Sequence, residues 1–282
     1  MLPEPFDLTI YQRALFAAVF IGLINGYTSA FVLLHRSPLK LTALSHSLLP
    51  GVALATWLAG GLAVLTAFFG AAGAAVVIGI LTVLLSRLTH IGDETILAVL
   101  YTGAFALGIM LLNKLGSSQD LDEWLLGNIL GLSDLDLWMA FGVGLLTLPL
   151  QALFQRSLIL NLFDQEVAAS LGVRTRLLDY ASFAILILVL VTTLQAVGCI
   201  LAIGLIVTPA ATVRPWVTSP RVLFLLSALT GSTGAALGLF LSYHLDQPAG
   251  ATIAATLATI FLISILLNSL LKKTFSLVSI QR

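Results

Sequence analysis

Nine apolar runs of near-bilayer length divide this chain, at 13–34, 41–60, 62–86, 94–113, 135–155, 177–196, 198–213, 222–243 and 250–271. A helix needs roughly 20 apolar residues to cross the hydrocarbon of a membrane. In lipid every backbone N–H and C=O must be satisfied within the protein, so runs of this kind are read as helices. The run 198–213 is short and suits a partly spanning helix, so eight crossings is the alternative count. Composition agrees with the pattern: of 282 residues, 59% are hydrophobic and 9% charged, where soluble domains carry about 25% charged residues. The expected fold class is an all-α, polytopic membrane helix bundle, with 1–282 as one transmembrane domain.

Charge placement orients the bundle. With the N-terminus outside and crossings alternating, eleven of the thirteen Lys and Arg residues fall in cytoplasmic segments, among them Arg36, Arg87, Arg156, Arg214 and Lys272. Arg13 and Lys114 alone fall outside, and the opposite orientation would reverse this bias. The expected arrangement is therefore an external N-terminus and a cytoplasmic C-terminus. Thirteen acidic residues balance the thirteen basic ones, which leaves no basic stripe for nucleic acid. The single cysteine, Cys199, excludes a disulfide framework or a cysteine-built zinc cluster and reads as a small apolar packer. The opening MLPEPFDLTIYQ is acidic, unlike the positive start of a cleavable signal.

Two connections exceed simple turns. The external one, 114–134, carries a stretch around Trp124–Leu130 suited to an interfacial helix. The cytoplasmic one, 156–176, contains NLFDQEVAASLGVRTR. Asp164 there is an N-cap whose carboxylate accepts free first-turn N–H groups, and Glu166 adds negative charge at the same end. Gly172 follows Leu171 and suits the left-handed residue that ends a helix. Two turns do not hold alone in water, so this helix packs on its own spans or docks on a cytoplasmic partner.

Within the spans, Gly22 with Gly26 and Gly234 with Gly238 have the spacing that lets helix backbones approach. Pro50, Pro149 and Pro209 each remove a backbone hydrogen bond and allow a kink. Ionisable residues at membrane depth are costly and mark function by default. His46 lies between Ser45 and Ser47, with Thr42 one turn earlier on the same face. Neutral imidazole is a common ligand for zinc, manganese and iron, and a hydroxyl a weak one. The alternative role for His46 is an interhelical hydrogen bond to a carbonyl. His244 and Asp246, at the outer end of the eighth span, either receive an arriving cation or sit on a solvated rim capping the next helix. Asp179 is expected to pair with Arg174 or Arg176. The chain has no HExxH, GxSxG or paired intramembrane aspartates, and no GxxxxGK[ST] loop for ATP. It does not read as an enzyme, and any energy source sits on another polypeptide.

Several strings in order resemble the permease subunits of ABC importers for zinc, manganese and iron. They are FVLLHRSPL, LSHSLLPGVALA (Leu44 to Ala55), GDETILAVLYTGAFALGIMLL (Gly92 to Leu112), FDQEVAASLGV (Phe163 to Val173), VGCILAIGLIVTPAATVRPW (Val197 to Trp216) and LSYHLDQPAGATIA (Leu241 to Ala254). The resemblance implies a type II importer permease fold, akin to cobalamin and siderophore permeases without their first helix. It also implies a divalent metal (Mn, Zn or Fe) carried across a bacterial inner membrane. Two cytoplasmic ATPase subunits would hold the ATP, an external solute-binding protein would deliver the metal, and a second permease copy, identical or related, would complete the membrane part. The segment 163–173 corresponds to the coupling helix, which assigns ATPase contact to Asp164, Glu166, Ala168, Ala169, Leu171 and Gly172. The family's metal site pairs an Asp with a His four residues on. His46 matches the His, but Thr42 stands at the Asp position and Leu41 replaces a Gly. Another acid could substitute, a heterodimer partner could keep the Asp, or the substrate could be a metal chelate or an organic molecule.

Overall fold

The computed structural model describes residues 9–35, 38–59, 64–89, 91–114 and 129–280. The described residues form helices and no strand: α1 (Thr9–Leu34), α2 (Pro38–Ser47), α3 (Leu49–Ala59), α4 (Val64–Thr89), α5 (Asp93–Lys114), α6 (Asp134–Phe163), α7 (Gln165–Ser170), α8 (Thr175–Val213), α9 (Pro220–Leu245) and α10 (Ala249–Ile280). Seven helical stretches are long and apolar enough to cross a membrane, and two shorter apolar ones, Ala43–Leu58 and Leu201–Trp216, add to them. Together they coincide with the nine predicted runs. The interfacial helix expected around Trp124 lies outside the described residues, apart from a 3₁₀ turn at Ile129–Gly131.

Two of the spans are discontinuous. Between α2 and α3 the chain turns at Leu48, and Gly51 and Val52 both donate to its carbonyl. Pro50, second in α3, has no N–H to lose there. In α8 the break falls at Gly198 (φ 79°, ψ 170°), a conformation that is essentially reserved for glycine. Pro149 and Pro209 lie inside α6 and α8.

The chain divides into two compact units, Met1–His35 with Gly204–Arg282, and Arg36–Ile203. The first is built on glycine contacts. A Cβ on Gly26 would meet the carbonyl of Ser227, and one on Gly231 the carbonyl of Gly22, so α1 and α9 touch backbone to backbone. The opposite side of α9 presents Gly234 to Leu257 and Gly238 to Ile253 of α10. Ser29 ties α1 to the later part of α8, its Oγ accepting from the N–H of Ala210 at 3.1 Å, the residue after Pro209. Trp216 donates to Ser264, Ser264 to the carbonyl of Thr212, and Asn268 to that of Pro215. In the second unit, Gly51 and Gly70 meet through their backbones, with Ala55 and Ala74 beside them. Gly79 packs on Phe183, and Gln195 donates to the carbonyl of Val64 at 3.1 Å.

These contacts fix helix directions. Residues 22 and 26 face 231 and 227, so α1 and α9 are antiparallel. The same pattern makes α9 and α10 antiparallel, while 204, 212 and 215 advance alongside 254, 264 and 268 in parallel. In the second unit α4 runs against α3 and against the early part of α8. Alternating crossings numbered one to nine reproduce every one of these directions. Were 177–213 a single crossing, α9 would be the seventh span and parallel to α1, which it is not.

Candidate functional site

His46 stands one residue before the end of α2, half-buried, immediately ahead of the turn at Leu48. Ser47 donates to the carbonyl of Leu44 at 2.7 Å, and Ser45 is fully buried. Tyr101 and Phe105, one turn apart on α5, flank the imidazole, with ring centroids at 6.2 Å and, edge to face, at 5.4 Å. The partner of Nδ1 is the thiol of Cys199, its Sγ 3.6 Å away. The interhelical contact is therefore to sulfur rather than to a backbone carbonyl. Cys199 is 1% exposed and follows directly on the Gly198 break. Both interruptions thus adjoin the one histidine–cysteine pair. Irregular backbone at membrane depth persists only where protein buries it or where it lines a wet cavity.

The side chain of Thr42 lies outside the described residues, although α2 runs through its position. His244 and Asp246 belong to the other unit from His46. The ring of His244 donates from Nδ1 back to the carbonyl of Phe240 at 3.0 Å and lies tilted against the Phe240 ring, centroids 4.2 Å apart. Asp246 takes the left-handed conformation (φ 52°, ψ 47°) as the C-cap of α9, its N–H bonded to Ser242. It ends its own helix rather than capping the next one, a conformation that aspartate tolerates better than most residues. Among the described residues no group of three His, Cys, Asp or Glu side chains comes together.

The helix α7 has the caps its sequence predicts. Asp164 is the N-cap, accepting from the N–H of Val167 at 2.9 Å. Gly172 is left-handed at φ 81°. Its N–H bonds the carbonyl of Ala169, and that of Val173 bonds Ala168, both at 3.0 Å, the two-bond stop of a Schellman motif. Ala168 is fully buried, whereas Phe163, Val167 and Leu171, spaced four apart, are exposed. Asp179 departs from expectation. It accepts from Asn161 at 2.6 Å and from Gln165 at 3.5 Å, so amides rather than Arg174 or Arg176 satisfy it. Those bonds pin both sides of the corner between α6 and α7.

The match to the ABC 3 transport family covers residues 7–268. The chain belongs to that family. The manganese import system permease protein ScaB of Streptococcus gordonii is 36% identical over 258 residues, 92% of this chain and 91% of that protein. The chelated iron transport system membrane protein YfeD of Yersinia pestis is 28% identical over 268 residues, 95% of this chain and 89% of that one. The solved structure of PsaBC from Streptococcus pneumoniae in complex with Fab superposes with a TM-score of 0.83 at 34% identity, covering 92% and 91% of the two chains. This member of the ABC 3 transport family is thus a multi-pass permease in fold. What sequence reading missed in it is the pairing of Cys199 with His46. The signal present was only that Cys199 sits beside a glycine in a short span.

Proposed function

We propose that the chain is the membrane-spanning subunit of an ATP-driven importer that carries a divalent transition metal (manganese, zinc or iron) into a bacterial cell. The observation that carries this reading is His46, an imidazole at a helix break at membrane depth, in a chain whose relatives are named for manganese and iron transport. In this reading the external end receives the ion from a solute-binding protein, His46 ligates it in transit, and the ion leaves to the cytoplasm. ATP is bound and hydrolysed on two separate cytoplasmic subunits. Two permease chains, identical or related, frame the path. The exposed apolar side chains of Val167 on the self-capped α7 and of Phe163 and Leu171 at its two ends form the docking surface for an ATPase, and the N-terminus is external.

The deciding experiment is metal uptake by the reconstituted complex, with ATP inside the vesicles and manganese, zinc or ferrous iron outside. His46→Ala should abolish or sharply reduce uptake while ATPase subunits still co-purify. Normal uptake in that variant would reduce His46 to packing.

A further inference from the structure

We propose that Cys199 is the second protein ligand of the transported ion, and that the His46–Cys199 pair favours zinc or ferrous iron over manganese. The inference rests on the metal-import reading above and specifies its substrate. The geometry carries it. A zinc ion held tetrahedrally, with sulfur at about 2.3 Å and imidazole nitrogen at about 2.1 Å, sets its two donors about 3.6 Å apart. The Sγ to Nδ1 separation here is 3.6 Å, so the two donors already stand at the spacing that a tetrahedral ion requires. Without metal the same separation serves a thiol–imidazole hydrogen bond, and the ion takes the place of the shared proton. The Sγ–H proton passes to water as the metal–sulfur bond forms, and returns when the ion leaves.

Three features set this pair apart from ordinary packing. It joins residues 153 positions apart in sequence. Each partner adjoins an interruption of its own helix, at Leu48 and at Gly198. Tyr101 and Phe105 wall one side of the imidazole, and the pair supplies two protein donors, fewer than a closed tetrahedral site would have. A site of passage needs incomplete coordination, strong enough to admit an ion and weak enough to release it. Donor chemistry then sets the preference. Thiolate and imidazole suit zinc and iron, whereas manganese prefers carboxylate, carbonyl and water. No carboxylate joins the pair among the described residues.

The test uses the full-length permease purified with its ATPase, loaded with Co²⁺ as a spectroscopic probe. A sulfur-to-cobalt charge-transfer absorption in the near ultraviolet is expected, lost in Cys199→Ala and weakened in His46→Ala. In vesicles, Cys199→Ser should lower zinc uptake at limiting concentration by about tenfold or more, the scale on which altered ligand environments act, while changing manganese uptake far less. A wild-type complex without the band, or a band unchanged in Cys199→Ala, overturns the assignment of Cys199. In that event, uptake that still requires His46 leaves the importer reading standing. A complex that transports none of the three metals overturns both.

Discussion

Gly198 is the residue on which the local geometry of the site turns. Its φ of 79° with ψ of 170° is a region closed to side chains, and forcing alanine there costs on the order of 1–3 kcal/mol. Gly198→Ala should therefore lower the thermal midpoint of the purified permease. It should also shift Cys199 away from His46, read as faster labelling of the chain's one thiol. A variant with unchanged midpoint and labelling would mean that the break persists without glycine. His46 was visible in the sequence because a histidine inside an apolar run is conspicuous. Its partner was not, since a lone cysteine in such a run looks like any small apolar residue. Asp179 shows the same limit: charge proximity along the chain pointed to Arg174 and Arg176, while Asn161, 18 residues earlier, provides the shorter bond.

Among the elements, α7 is secured locally at both ends, by the Asp164 cap and the left-handed Gly172. Asp164→Ala removes the cap bond to Val167 and should cost roughly 0.5–2 kcal/mol of helix stability. Gly172→Val places a β-branched residue at positive φ, where even an ordinary side chain costs about 1–2 kcal/mol. Each variant should weaken co-purification of the ATPase and uncouple hydrolysis from transport, without preventing membrane insertion. Full association and full transport in both would move the coupling contact to a shorter loop, such as 87–93 or 214–221. Helix packing gives a further expectation. A side chain at position 51 would collide with the carbonyl of Gly70, so Gly51→Leu should part α3 from α4 and sharply reduce the yield of folded protein. Undiminished yield and thermal midpoint would show that the contact is dispensable. The glycine faces of α1 and α9 were legible from pairs four residues apart. The α3–α4 contact was not, because its small-residue pairs are Gly51 with Ala55 and Gly70 with Ala74, and alanine is too common in apolar helices to stand out.

For the whole molecule, the antiparallel course of α1 and α9 fits nine alternating crossings rather than eight, and the proposed orientation, with the N-terminus outside, rests on the distribution of Lys and Arg. Single cysteines replacing Glu4 and Val278, in a Cys199→Ala background, should react with impermeant reagent from outside and from inside respectively. External labelling at 278 would invert the orientation. The odd number of crossings has a consequence for how two such bundles can be joined. The first residue of α1 and the last of α10 face opposite sides of the bilayer, so the end of one copy cannot be spliced directly to the start of another. A tandem gene fusion needs an added hydrophobic segment between the copies to carry the chain back across. Without that segment, the second copy enters upside down or fails to insert.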